Sequence, residues 1–349
     1  MPIQLGVFDR LDTLEKLTRL GDPLAVLDRI VPFEIFRSEL PRTEPSPKGG
    51  RPAYDAVRMF KLLVIQHLYR LSDEQLEYQT LDRLSFQRFV GIERSHQVPD
   101  FTTLWRFRER LGEDGARALF VKLGDYIDVA GFTAKGGQII DASIVSTGKS
   151  RRDPKESTAP TRQEAAHRDE DAAYTKKHGQ SFHGYKVHVN VDEGEGFVRE
   201  VAVTPANVHD GHLLDELTTA AEKGRSRAVY ADAAYVGAEN EAMLEAKGLL
   251  GKIAHKRKPK RPLTKRQREQ NRRWSRSRAL VEHVFARQVG SRLTKRTVAV
   301  VGLARVTVKL VLDQVAYNLS RLSFHWRKAA EKAAEKLAMT PPTGLVCPQ

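Results

Sequence analysis

Residues 185–203 read YKVHVNVDEGEGFVREVAV, two segments of strand-like residues on either side of a glycine-containing turn. In the first segment an aromatic or β-branched residue stands at every second position, which is the period of a strand with one buried face. These residues are Tyr185, Val187, Val189 and Val191. The stretch therefore predicts an antiparallel hairpin.

Short apolar runs on both sides of this hairpin predict further strands, at residues 138–141, 228–232 and 249–254. Segments with helical spacing are found at about residues 211–223, 238–247 and 279–288, and in a last helix that ends near residue 326. The order β-ββ-α-β-α-β-α predicts an α/β domain, a mixed sheet flanked by helices, over residues 135–326. Within it, residues 149–180 have almost no large aliphatic residues and are interpreted as a polar loop or insertion.

The chain before this domain has no strand-like alternation and predicts an all-α domain over residues 1–134. Its Pro- and Gly-rich residues 41–52 are expected to form a linker. Helices are predicted at about residues 53–69, from Ser72 onward with a capping box to Gln75, in TTLWRFRERL (102–111) and at residues 116–129. At the other end of the chain, residues 327–349 are expected to be a basic tail.

The chain carries a formal net charge of +14 over 349 residues, and such an excess attracts a polyanion. Residues 255–278 concentrate it, with twelve Lys or Arg against one Glu. On its own such a run also fits a solvated or disordered face. Combined with the chemistry described below, it predicts contacts to DNA phosphates. The candidates within it are Lys256, Arg257, Lys258, Arg272, Arg273 and Arg276.

Several classes of protein and site are not expected. The single cysteine, Cys347, leaves no disulfide framework or thiolate zinc cluster and fits an intracellular setting. The N-terminal residues lack an apolar signal core, and the most apolar window, residues 298–315, is too short and too charged to span a membrane. The histidines lack zinc spacing, and no P-loop, GxGxxG or GxSxG motif occurs. We therefore expect a soluble, cytoplasmic protein without a membrane partner or a nucleotide cofactor.

Two aspartates, Asp141 and Asp232, each follow an apolar run at the end of a predicted strand. Ligands of open α/β sheets bind at strand ends, and a carboxylate beside a buried strand needs a partner. The alternative for each residue alone is an Asp that starts a turn or caps a helix. Their equivalent positions on two strands favour a shared site.

A third carboxylate, Glu282, lies on the predicted helix 279–288, at the edge of its apolar stripe and one turn after Arg278. The alternative is an Arg–Glu pair on the helix surface. Three converging carboxylates repel one another and raise their own pKa values, and divalent cations relieve this. Mg²⁺ prefers such oxygen ligands, and two ions can activate the attacking oxygen and stabilise the leaving oxygen in phosphodiester chemistry. The three residues are therefore the candidate metal ligands.

Six blocks of the chain resemble, in order, those of bacterial insertion-sequence transposases with an acidic Asp-Asp-Glu triad, the insertion-sequence-five family. The blocks are GGQIIDAS, SFHGYKVHVNVDE, VAVTPANVHDG, VYADAAYVG, RALVEHVFARQ and LDQVAYNLSRL. The resemblance covers about residues 53–326. It implies an RNase H-like fold, Mg²⁺ or Mn²⁺ as the cofactor, and Asp141, Asp232 and Glu282 as both catalytic residues and metal ligands.

The family pattern around the glutamate is Tyr, two residues, Arg, three residues, Glu, six residues, Lys. Arg278 and Glu282 fit it, whereas Ser275 and Val289 stand at the Tyr and Lys positions. These departures leave the triad intact and bear on an auxiliary contact to the DNA end, or on the activity of this copy. Candidate substitutes for that contact are Arg287, Arg292 and Lys295.

The resemblance also implies that the helical domain binds DNA, with TTLWRFRERL as a helix-turn-helix recognition helix. The alternative is that Leu104, Trp105 and Phe107 of this helix pack a helical bundle, and both can hold on opposite faces. The candidate DNA contacts outside the basic stretch are Arg106, Arg108, Arg110 and Lys186. Arg278 of the family pattern, the last residue of the basic stretch, is a further candidate.

The implied function is DNA transposition. A homodimer or larger assembly binds the terminal inverted repeats of a mobile element, hydrolyses a phosphodiester to free a 3′-OH, and joins that end to target DNA, without ATP. Nucleoid association follows from this substrate. One alternative is a metal-dependent nuclease without strand transfer. The other is a DNA-binding regulator whose catalytic domain is impaired.

Overall fold

The computed structural model describes residues 9–42, 52–93, 97–148, 168–177, 179–257, 261–288 and 297–338. The N-terminal part is helical, as predicted, and includes a 3₁₀ helix at Phe33–Glu39. Its α-helices are α1 (Asp9–Arg19), α2 (Pro23–Ile30), α3 (Ala56–Tyr69), α4 (Asp73–Asp82), α5 (Leu84–Val90) and α6 (Phe101–Val129).

Local signals set the limits of these helices. The predicted capping box of α4 is present, because Ser72 and Gln75 each accept a hydrogen bond from the other's backbone N–H. The two helices predicted within residues 102–129 are joined in α6, with a break at Gly112. The φ of Gly112 is 60°, a conformation that glycine adopts at little cost.

The α/β part is built on one sheet. Its strands are β1 (Gln138–Thr147), β2 (Ala173–Lys177), β3 (Gln180–Asp192), β4 (Val198–Pro205), β5 (Ala228–Ala231), β6 (Leu250–Ile253) and β7 (Thr297–Val298). Strands β1, β3 and β4 form an antiparallel meander, and β5 and β6 run parallel to β1, in the order β4-β3-β1-β5-β6. This is the mixed, RNase H-like arrangement, and the predicted hairpin is its β3–β4 pair.

Helices cover both faces of the sheet. They are α7 (Leu214–Leu217), α8 (Ala238–Ala246), α9 (Lys265–Gln288) and α10 (Leu303–Ala338). Residues of α7 and α8 pack on one face, and residues of α9 and α10 on the other. Helix α10 also packs against α3 and α6, so one continuous core crosses the predicted boundary near residue 134. The division into two domains stays a prediction.

The helix predicted at residues 211–223 is much shorter in the structure. A 3₁₀ helix, Asp210–Leu213, leads into α7, which ends at Leu217. The backbone after Leu217 is not helical, because side chains of the sheet form hydrogen bonds with it. Asn190 donates to the Leu217 carbonyl, and Gln138 bonds both the N–H and the carbonyl of Thr219.

The predicted polar insertion, residues 149–180, is not all loop. Its residues Ala173–Lys177 form β2, which pairs antiparallel with the start of β3. A strand at this exposed edge is held by backbone hydrogen bonds and needs few apolar side chains. The polar composition of residues 173–177 therefore did not predict a strand. Residues 149–167 and residue 178 lie outside the described part of the chain.

Two further segments differ from expectation. Within the basic stretch 255–278, α9 already begins at Lys265, because Thr264 and Gln267 form a capping box there. The predicted basic tail continues α10 as far as Ala338, since RKAAEKAAEKLA consists of good helix formers. Residues 339–349 lie outside the described residues. Of the helices that the structure describes, none is long and apolar enough to cross a membrane.

Candidate active site

Asp141 and Asp232 lie side by side where β1 and β5 meet. The two strands run parallel, with Gln138 opposite Val229 and Ile139 opposite Tyr230. Extending this register by two residues on each strand brings Asp141 opposite Asp232. Asp232 directly follows β5, as predicted. Asp141 lies within β1 and not at its end, because pairing with β3 and β7 carries β1 on to Thr147.

The Asp141 carboxylate is half-buried and lies beside charges of both signs. One oxygen accepts a hydrogen bond from the Ala142 N–H at 2.9 Å, and the other lies 3.3 Å from the Arg278 guanidinium. Burial raises the pKa of Asp141, Arg278 opposes the rise, and the charge of Asp232 adds to it. The surroundings as a whole disfavour the ionised carboxylate, which is the electrostatic setting that an added cation relieves.

Asp232 has a second role in the backbone. Its Oδ1 accepts a hydrogen bond from the Ala234 N–H at 2.8 Å and so caps the 3₁₀ helix Ala233–Tyr235. The capping interpretation is therefore correct for one oxygen. The other oxygen accepts no hydrogen bond from the residues that the structure describes, so it is available to a ligand.

Helix α9 carries the third carboxylate of the predicted triad. Its residues Val281, Val284 and Phe285 are buried and fix the helix against the sheet. Arg278 pairs with Asp141, and no ion pair with Glu282 is found in the described part of the chain. Glu282 is exposed and accepts no hydrogen bond there.

The departures from the family pattern are only partly visible. Ser275 is exposed on α9, one turn before Arg278. Val289 lies outside the described residues, as do Arg292 and Lys295, and nothing is described of the Arg287 side chain. The structure therefore leaves the auxiliary contact to the DNA end as a prediction.

The residues at this site fit a divalent cation in their chemistry. Asp141 and Asp232 offer only oxygen donors, which Mg²⁺ and Mn²⁺ prefer. Across residues 9–338, as far as they are described, no three His, Cys, Asp or Glu side chains approach closely enough to hold a metal ion together. The structure thus brings together the aspartate pair and leaves Glu282 apart from it.

Two residues of this site were missed at the level of sequence. Tyr235 is fully buried three residues after Asp232, and Asp210 begins the neighbouring 3₁₀ helix. Burial raises the pKa of the Tyr235 hydroxyl well above its ordinary value, and the charges of Asp210, Asp141 and Asp232 raise it further. Both residues stand within the quoted blocks VAVTPANVHDG and VYADAAYVG, which was the available signal.

Two predicted DNA contacts are engaged inside the protein instead. The Lys186 ammonium lies 2.7 Å from Asp210 and donates to the Val208 carbonyl at 2.8 Å. Arg108 lies 2.8 Å from Asp73, and both cationic side chains are largely buried. Their charges are balanced by carboxylates of the same chain, so neither cation is free for a DNA phosphate in this structure.

The remaining arginines of the predicted recognition helix lie on the surface. Arg106 and Arg110 are exposed, whereas Leu104 and Phe107 are buried in the core. Trp105, included in the packing alternative, is 43% exposed. One face of this part of α6 packs in the core, as the packing alternative predicts for Leu104 and Phe107. The opposite face carries exposed positive charge, and the recognition-helix interpretation stays a prediction.

The basic stretch presents its charge on the first half of α9. Arg272, Arg273 and Arg276 are exposed, as are Lys256 and Arg257 before the helix, and Lys258 lies outside the described residues. The His255 and Trp274 rings stack with their centroids 5.2 Å apart, and Asn271 bonds the His255 backbone in both directions. These contacts fasten the cationic half of α9 beside the end of β6.

Acid destabilisation is expected to depend on His188, which lies in β3 next to the site. Burial lowers the pKa of His188 to about 4 from an ordinary value of 6.5. The unfolded chain therefore binds this proton first, and the contribution of neutral His188 to stability is lost as the pH falls from about 6.5 towards 4. Replacing His188 by Gln, which can still bond Thr204, should flatten the fall in unfolding free energy over this range, measured by urea denaturation.

The matched control is His212→Gln, because the His212 imidazole is exposed to solvent in the folded protein. This variant should keep the wild-type dependence on pH. An equally steep fall in His188→Gln would show that His188 does not drive the loss of stability.

Two protein-family models match this chain. Residues 12–110 match the family model described as "Transposase domain (DUF772)", and residues 133–319 match that described as "Transposase DDE domain". The second match covers more than half of the chain. Among solved structures, the chain is similar to a piggyBac transposase synaptic complex with hairpin DNA, with 12% identity, a TM-score of 0.44, and coverage of 89% of this chain and 76% of that one.

Proposed function

The chain belongs to the DDE transposase family and is a DNA transposase, and on that premise we propose which DNA steps it performs. It binds the terminal inverted repeats of an insertion sequence, cleaves a phosphodiester bond by metal-activated hydrolysis, and joins the 3′-OH end to target DNA. The observation that carries this proposal is the paired Asp141 and Asp232 at the β1–β5 junction, next to the cationic half of α9.

The proposed ligands are Asp141, Asp232 and Glu282. Divalent ions such as Mg²⁺, with Mn²⁺ as a substitute, supply an activated nucleophile and charge stabilisation of the leaving oxygen. Asp141 and Asp232 would hold the ion through carboxylate groups that backbone hydrogen bonds to one oxygen of each already orient. We propose that Glu282 completes the ligand set from α9 when Arg278 exchanges Asp141 for a phosphate of the DNA end.

The exposed arginines of α9 hold the phosphate backbone beside these carboxylates, and Arg106 and Arg110 of α6 contribute contacts from the helical part. A homodimer or higher oligomer pairs the two ends of the element. The site of action is bacterial DNA in the cytoplasm, at the nucleoid.

The test is incubation of the full chain with a labelled duplex that carries the end of its element and with a target plasmid. Reactions contain Mg²⁺, Mn²⁺ or EDTA. We expect metal-dependent cleavage at the end, followed by labelled joint molecules. Cleavage without end specificity or joining would indicate a nuclease, and specific binding without cleavage in either metal would indicate a regulator.

A further inference from the structure

Tyr235 is a fully buried tyrosine whose hydroxyl has no hydrogen-bond partner among the residues that the structure describes. Leaving a buried donor unpaired is energetically costly, and most buried polar groups of native proteins have a hydrogen-bond partner. An unpaired hydroxyl beside a catalytic site is therefore evidence of a ligand or of a state in which it gains a partner.

The Tyr235 ring is held firmly at this site. It ends the 3₁₀ helix that Asp232 caps, and Asn240 bonds its carbonyl at 2.9 Å. The ring belongs to the same buried cluster as Ile140 and Ala231, the residues that directly precede the two aspartates. Turning the ring away would open this cluster, so the position of the hydroxyl is set by packing and not by a hydrogen bond.

The surroundings of the hydroxyl are acidic. Burial raises the pKa of Tyr235 well above its ordinary value, and Asp210, Asp141 and Asp232 act in the same direction. Of these three carboxylates, Asp210 is already paired with Lys186, whereas Asp141 and Asp232 are the proposed metal ligands. A hydrogen-bond donor thus lies close to the aspartate pair without bonding to it.

We propose that Tyr235 is a positioning residue of the metal site, whose hydroxyl donates a hydrogen bond to an oxygen in the ligand shell of the bound divalent ion. That oxygen belongs to Asp141, to Asp232 or to a water. The inference rests on the proposed function, since it requires an ion at this aspartate pair. Groups that bond to metal ligands orient them, and losing one typically weakens metal affinity about 10–100-fold.

The test uses the full chain with Tyr235→Phe, which removes only the hydroxyl oxygen and keeps the packed ring. Mn²⁺ affinity is measured from the electron paramagnetic resonance signal of the free ion, and the thermal midpoint is measured without metal. We expect Mn²⁺ to bind about 10–100-fold more weakly. The midpoint of the metal-free protein should stay the same or rise, because no existing hydrogen bond is lost.

The matched control is Tyr185→Phe. Tyr185 is also fully buried, but its hydroxyl donates to Asp169 at 2.6 Å. This variant should show the opposite pattern, with a lower thermal midpoint and wild-type Mn²⁺ affinity. Wild-type Mn²⁺ affinity in Tyr235→Phe, or a lowered metal-free midpoint like that of the control, would overturn the assignment of Tyr235.

Asp232→Asn separates this inference from the function on which it rests. If Asp232→Asn loses Mn²⁺ binding while Tyr235→Phe keeps it, only the role of Tyr235 is wrong. If Asp232→Asn binds Mn²⁺ like the wild type, the ion is not held at the aspartate pair, and the proposed site and the role of Tyr235 both fail.

Discussion

Asp232→Asn is expected to reduce cleavage of the element's end at least about 10³-fold. Removing one anionic ligand takes away several kcal/mol of the charge stabilisation that the metal site provides, and about 4 kcal/mol corresponds to 10³-fold in rate. The measurement is the single-turnover rate of cleavage on a labelled end duplex with Mn²⁺.

The substitution leaves the fold intact for a structural reason. Asn has nearly the same volume as Asp, and its Oδ1 can still accept the Ala234 N–H that Asp232 caps. The thermal midpoint and the affinity for DNA should therefore stay close to wild type. Glu222→Gln, which neutralises an exposed carboxylate elsewhere in the α/β part, is the control and should cleave normally.

Glu282→Gln tests the third ligand separately. Because Glu282 stands apart from the aspartate pair in this structure, its loss should leave Mn²⁺ binding to the free protein weakened less than the loss of Asp232 does. Cleavage should nevertheless fall by a similar factor to that of Asp232→Asn. Wild-type cleavage in either variant would refute the proposed catalytic triad.

Replacing Arg272, Arg273 and Arg276 together by Gln is expected to weaken DNA binding at least about 10²-fold. Each exposed arginine on α9 can neutralise one phosphate, and a hydrogen bond to a charged group contributes about 1.5–3 kcal/mol. Each lost phosphate contact also lowers the slope of log affinity against log salt by about 0.9. The triple variant should therefore lose about 2–3 from that slope, measured by fluorescence anisotropy between 50 and 200 mM salt (a range in which DNA-binding proteins respond strongly).

The matched control removes the same amount of charge from another exposed helix surface. Arg327, Lys328 and Lys332 lie on the last turns of α10 and are exposed. Replacing these three by Gln should change the affinity and the slope much less. Equal losses in the two triple variants would mean that net charge, and not the α9 surface, governs binding to DNA.

Much of the fold could be predicted because its signals are local. The hairpin of residues 185–203 follows from a two-residue period, and α4 begins where Ser72 and Gln75 reach each other's backbone N–H. The helix predicted at residues 211–223 fails for the opposite reason. Its second half has helical spacing, but the side chains of Gln138 and Asn190 form hydrogen bonds with its backbone in place of a helix. These two residues are about 80 and 27 positions away in sequence.

The candidate site divides in the same way. The sequence places Asp141 and Asp232 after apolar runs, and the parallel register of β1 and β5 then brings them opposite each other. The ion-pair partners of the cationic side chains at this site could not be predicted from the sequence. Arg278 reaches Asp141 across 137 residues, and Lys186 reaches Asp210 across 24.

Residue order alone thus specifies the elements, their caps and the three acidic candidates, because periodicity and capping depend on neighbours within a few positions. The tertiary structure decides which cations are free for DNA and which are paired inside the protein, as Lys186 and Arg108 are. It also decides that the Tyr235 hydroxyl is buried without a partner next to the aspartates. Burial and ion pairing depend on which segments, distant in sequence, pack together, and this is determined only in the folded structure.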